Sequence, residues 1–174
     1  LTDIEAAKER LRHAEPAKVI LPVQSMSRSF IKTLDCALSC GFAEIELYHV
    51  CDDEQKALAL EKRIAELGVN AKFVYEVTTY RNVNEVLLRH VQEEAAKLPE
   101  FHNLTVMMGA LVVTKAIQKP LHNQTTQRLA RKMERYPNVA VFNVPSSRTV
   151  PGTWVKSHSP LISGDATVSW LKKL

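Results

Sequence analysis

Glycine is scarce in this chain, with only five among 174 residues. So few cannot supply a glycine-rich phosphate cradle, and neither a Walker phosphate loop nor a GxSxG nucleophile elbow occurs. An HExxH zinc helix is missing too. The three cysteines, Cys36, Cys40 and Cys51, include no CxxC pair. An odd number of thiols without a secretion signal reads as buried small side chains in a reducing compartment. Long apolar runs are absent as well. The longest uncharged stretch ahead of the carboxyl-terminal tail is Phe101 to Thr114, 14 residues with His102 and Asn103 near its start. A bilayer span needs about 20 apolar residues. These absences lead us to expect no enzymatic activity, no catalytic residues, no bound metal and no resident cofactor.

What is present has the balance of a soluble globular domain, 45% hydrophobic and 24% charged. The 23 basic and 19 acidic residues leave a net charge of +4. That surplus suits an anionic ligand or the inner face of a membrane, and no nucleic-acid partner is expected. Two glycosylation-like triplets, at Asn103 and Asn123, read as chance in a chain without a secretion signal.

Apolar runs alternate with helical periods. Val19–Val23, Ala43–Val50, Ala71–Val77, Leu104–Met108 and Val139–Val144 read as strands. Phe30, Ile31, Leu34, Ala37 and Leu38 recur at helical spacing up to Gly41. A second helix, capped by Asp52, runs through Leu58 and Ile64 to Gly68, and a third spans Val83 to Leu98. A fourth starts near Leu121 and includes Leu129 and Met133. Five such alternations with short links predict one α/β domain, a parallel sheet with helices on both faces. Val19–Val23 should be central and Val139–Val144 should lie at an edge. Residues 2–14 read as a charged lead-in helix. Because the chain opens on Leu1 rather than Met, we expect it to follow a preceding domain.

A parallel sheet binds ligands at the carboxyl ends of its strands, near a switch in strand order. That rule nominates Gln24, Ser25, Ser27 and Arg28 after the first strand, where hydroxyls and backbone N–H groups can hold an anion. Tyr80 and Arg81 follow the third strand and pair an aromatic face with a guanidinium. His122, Asn123, Gln124 and Thr125 open the fourth helix with four polar side chains at its positive end. His49 reads as a hydrogen-bonded core histidine and His90 as half-buried packing.

Lys18-Val-Ile-Leu-Pro-Val-Gln-Ser25, Leu47-Tyr-His-Val50 and Val106-Met-Met-Gly109 resemble the universal stress protein fold. The resemblance implies strand order 3-2-1-4-5, a homodimer through the last strand and an adenine nucleotide ligand. Gln24 stands where ATP-binding members carry an acid. Gly109 is what remains of their glycine phosphate element, with Val112 at the place of the second glycine. Pro22-Val-Gln-Ser-Met-Ser-Arg28, Tyr80-Arg81-Asn82, Leu121-His-Asn-Gln-Thr125 and Asn143-Val-Pro145 are more closely similar to another group. It is the cytosolic carboxyl-terminal domain of amino acid, polyamine and organocation superfamily permeases, which include potassium importers.

Some importers of that group are inhibited by cyclic di-AMP. The resemblance implies a site built from Ser25, Arg28, Tyr80, Arg81, His122, Asn123 and Gln124. It covers residues 17–146, leaving 1–16 as the lead-in and 147–174 as a tail without a counterpart. The expectation is a cytoplasmic regulatory nucleotide-binding domain attached to a membrane-transport domain. The alternatives are a free-standing stress-type protein that binds ATP or AMP, and a purely structural dimerisation module.

Overall fold

The computed structural model describes residues 3–12, 18–78, 83–99, 102–109 and 128–145. Val19, Ile20 and Leu21 of β1 (Lys18–Pro22) have no exposed surface. A strand apolar on both faces belongs inside a parallel sheet. β1 pairs in parallel with β2 (Glu44–Cys51) on one side and β4 (Leu104–Gly109) on the other. β3 (Lys72–Val77) lies beyond β2, and β5 (Val139–Val144) lies beyond β4. The five strands follow the order β3-β2-β1-β4-β5, all parallel, as the sequence predicts.

Alternate residues of a strand face opposite sides of the sheet, so β1 feeds two cores. Val19 and Leu21 pack with Phe30, Leu34 and Ala37 of α2 (Arg28–Ser39) and with Leu60 and Ile64 of α3 (Glu54–Ala65). Ile20 packs on the other face with Val86, Leu87 and Val91 of α4 (Val83–Lys97). Leu129, Ala130 and Met133 join that second core from a helical segment over 128–133. The lead-in contains α1 (Ile4–Arg12), where Ile4 and Leu11 are exposed.

The ends of α2 and α3 follow local chemistry. Ser27 caps α2 by accepting the Phe30 N–H at 3.1 Å. Gly41 lies in the left-handed region at φ 73° and ends the turn after α2, and Gly68 does the same after α3 at φ 62°. The cap of α3 is Asp53, not the expected Asp52. Asp53 accepts the Gln55 N–H at 2.9 Å, while Asp52 pairs along the surface with Lys56 at 2.8 Å. The expectation of buried thiols fails at Cys40, which is exposed because it forms the carboxyl cap of α2; Cys51 is buried and Cys36 partly so.

A charge network is enclosed between the sheet and α4. The Glu46 side chain is 2% exposed, and Lys18 reaches it at 2.7 Å. The Lys18 Nζ also lies 2.7 Å from Glu94 and 3.2 Å from Glu44. His90 hydrogen-bonds the other Glu46 oxygen, and its ring stacks flat on Tyr48 at a centroid distance of 3.8 Å. The Tyr48 hydroxyl donates to Glu76 at 2.9 Å, and Arg89 pairs with the same carboxylate. His90 is therefore more than packing.

Burial disfavours the Lys18 cation, yet its hydrogen bonds to Glu46 and Glu94 overcome this and raise its pKa above the ordinary lysine value. Burial would likewise raise Glu94, but hydrogen bonds from Lys18 and Lys97 hold its carboxyl at about 2. Glu46 is lowered against its own burial by His90 and Lys18.

The pH consequence follows from these signs. A carboxyl depressed on folding stabilises the protein above its unfolded value of 4.5, and that contribution disappears as pH falls toward 2. The raised Lys18 contributes fully below 10.5 and loses its effect only above that value. Urea unfolding should therefore show stability falling through the acid window. Lys18→Met should cost about 3–5 kcal/mol, because it removes the cation shared by the Glu46 and Glu94 carboxylates. Adding Glu46→Gln should recover part of that loss.

Candidate functional site

In the observed order, the chain leaves β1 toward β2 and leaves β4 toward β5, so the strand order switches between β1 and β4. Their carboxyl ends frame the crevice in which open α/β sheets bind ligands. Gln24, Ser25, Ser27 and Arg28 stand at one side of this point and Gly109 at the other. The strand closes at Val23, whose N–H donates to the Tyr48 carbonyl at 2.9 Å. The following turn is held by the Ser27 N–H donating to the Ser25 carbonyl at 2.8 Å. Gln24, Ser25, Ser27 and Arg28 are all exposed, and the turn delivers them to the amino end of α2. Backbone N–H groups and a guanidinium there suit an anion.

Gly109 has a local reason as well. A Cβ at this position would lie 2.6 Å from Thr33 Oγ1 and 2.7 Å from Ser29 Oγ. The first turns of α2 thus rest directly on the end of β4. The Thr33 hydroxyl donates to the Ser29 carbonyl at 2.8 Å and is held in that contact. The absence of a side chain at Gly109 lets Ser29 and Thr33 of α2 sit against the end of β4.

His49 approaches the same end of the sheet from β2. It is 4% exposed, and its Nδ1 lies 2.8 Å from the Val23 carbonyl, as expected for a hydrogen-bonded core histidine. A carbonyl only accepts, so this contact places the ring proton on Nδ1 and leaves Nε2 as a buried acceptor without a partner. Sequence reading had no signal for that orphaned nitrogen.

Tyr80, Arg81, His122, Asn123, Gln124 and Thr125 lie outside the described residues. β3, which Tyr80 and Arg81 follow, ends two strands away from β1. Strand spacing puts the ends of β1 and β3 about 10 Å apart.

Two clefts among the described residues lie elsewhere. A groove of about 400 Å³ runs between Glu85, Leu88, Arg89 and Gln92 on one side and Lys132, Arg135 and Tyr136 on the other. A smaller cleft of about 200 Å³ lies at the amino ends of β2 and β3. Among the described residues no three His, Cys, Asp or Glu side chains are grouped to hold a metal ion, and no helix is long and apolar enough to cross a membrane.

The family model of the KimA potassium transporter C-terminal domain matches residues 13–146, a stretch that includes all five strands. The chain belongs to that family. No curated protein matches it. Membership in the KimA family identifies the chain as a C-terminal domain of the potassium-transporter kind and supports the membrane-transport parent implied by the motifs.

The Gly109 contact yields a direct test. In this KimA-family domain, Gly109→Ala should cost about 1–3 kcal/mol by forcing Ser29 and Thr33 off β4. Thermal unfolding of the variant with and without Thr33→Ala measures it, and Thr33→Ala should relieve part of the loss.

Proposed function

We propose that this domain is the cytosolic, non-catalytic regulatory unit of its potassium transporter and that its rim senses an adenine dinucleotide, cyclic di-AMP. The observation that carries the reading is the switch point, with Ser25, Ser27 and Arg28 at the end of β1 opposite Gly109 at the end of β4. Two phosphates and two bases need cationic donors and flat surfaces spread over some distance. Arg28 and Arg81 would meet phosphates, Tyr80 would stack on a base, and the amides of Asn123 and Gln124 would pair with adenine edges. His122, Thr125 and Gln24 would line the same rim. Gln24 in place of an acid, and a single glycine at 109, argue against ATP held in the stress-protein manner.

Regulation would work by linkage. A ligand that binds one arrangement of the parent's domains more tightly shifts the transporter toward that arrangement. The unit would act as a homodimer. Among the described residues β5 ends the sheet order, with Phe142 56% exposed, and a strand edge without a further partner favours pairing with a second copy.

Calorimetric titration with cyclic di-AMP, ATP and AMP tests the ligand. Cyclic di-AMP should bind most tightly, and Arg28→Ala or Arg81→Ala should each weaken it about tenfold or more, since a charge-assisted contact contributes roughly 1.5–3 kcal/mol. Heat from ATP but none from cyclic di-AMP would contradict the dinucleotide reading. Silence from all three would leave a structural module. Light scattering tests the dimer, which should show twice the 19.6 kDa chain mass; a monomer at high concentration would refute it.

A further inference from the structure

The segment that closes the α4 face of the core carries an unusual outer surface. Leu129, Ala130 and Met133 point into the core and are at most 8% exposed. Arg128, Arg131, Lys132 and Arg135 are all exposed, at the spacing i, i+3, i+4, i+7 that keeps side chains on one helix face. Helical geometry continues past the segment's end, with the Glu134 N–H donating to the Ala130 carbonyl at 2.9 Å. Among the described residues none of the four cations is ion-paired, although lysines and arginines elsewhere in the fold commonly are. Glu134 is the only acid within 128–136. Lys132 and Arg135 also line the groove beside α4.

The fold gives this stripe a direction. The segment runs down to Tyr136, where the Val139 N–H donates to its carbonyl and the chain enters β5. Val139 pairs with Leu104, and Leu104 pairs with Lys18 at the start of β1. The Arg135 end of the stripe therefore shares the sheet edge at which the chain enters from its amino-terminal side. In a C-terminal domain of a transporter, the membrane part precedes this entry in the chain. The ligand rim lies at the opposite edge.

We propose that the exposed face of Arg128, Arg131, Lys132 and Arg135 docks on the anionic lipid headgroups of the bilayer that holds the parent transporter. Four unpaired cations on one face complement a negatively charged leaflet, and attraction to such a surface needs no shaped pocket. The association is diffuse and electrostatic, so it is salt-sensitive and indifferent to the choice of arginine or lysine. It rests on membership in the transporter family and not on the dinucleotide reading. The two can therefore fail separately.

Co-sedimentation of the 174-residue chain with vesicles of phosphatidylcholine, with and without phosphatidylglycerol, tests the docking. The chain should pellet with the mixed vesicles at about 0.1 M salt, be released at several-fold higher salt, and ignore pure phosphatidylcholine. Each cation removed should weaken partitioning about fivefold, so Arg128→Gln, Arg131→Gln and Lys132→Gln together should reduce it on the order of a hundredfold. All three side chains are exposed, and an unchanged circular dichroism spectrum will show that the variant is folded. Replacing Arg128, Arg131 and Arg135 together by Lys should preserve binding. Equal binding to neutral vesicles, an unaffected Gln variant, loss of binding in the Lys variant, or tighter binding to duplex RNA at the same salt would each overturn the proposal.

Discussion

Parallel pairing of β1 on both of its edges is the constraint on which the rest of the molecule depends. β2 and β4 both take their register from this one strand, beginning at Lys18↔Glu44 and Lys18↔Leu104. Because the connections from β1 and β4 then diverge, their carboxyl ends form the switch point at which open α/β sheets bind ligands. The strand can hold that position because Val19, Ile20 and Leu21 are apolar on both faces, so each helical layer finds a dry surface. Its first residue is charged, and that charge is used within the fold. Lys18 ties β1 to β2 through Glu46 and to α4 through Glu94, fastening one helical layer to the sheet by charge as well as by packing.

The two faces of the sheet are secured by different chemistry. On the α2 and α3 side the packing is largely apolar, and α2 rests against Gly109. On the α4 side a connected polar chain runs from Lys18 through Glu46 and His90, with Tyr48 stacked on that ring and joined to Glu76 and Arg89. Such a network fixes side-chain orientation more strictly than apolar packing does, because each displaced member leaves a buried partner unsatisfied. The ordered α4 layer in turn supports the 128–133 segment through Leu129 and Met133.

Strand positions were legible in the sequence because burial on both faces leaves dense apolar runs such as Val19-Ile20-Leu21, and the strand order was implied by the stress-protein motifs. The network around Glu46 was not legible. Its members lie 28 and 44 residues from Glu46 along the chain, and a lone Glu in an apolar strand gives no indication of which cation will reach it. His90 was read as half-buried, which it is, but its helical position gave no indication of the carboxylate across the interface. The cap of α3 turned on two adjacent aspartates with the same local propensity, and backbone geometry selected Asp53. Of the candidate site, the switch-point half could be read because Ser25, Ser27 and Arg28 directly follow a clear strand. The role of Gly109 as a packing contact could not, because the residues it touches belong to α2, far away in sequence.

The central claim is that a ligand on the rim biases the transporter. Rubidium uptake by the intact parent transporter in proteoliposomes, with cyclic di-AMP on the side of this domain, measures that most directly. The account predicts that cyclic di-AMP reduces uptake by the unmodified transporter. Arg28→Ala with Arg81→Ala should abolish the effect while leaving uptake without the nucleotide unchanged. Uptake that does not respond to the nucleotide, or that responds equally in the double variant, would contradict it.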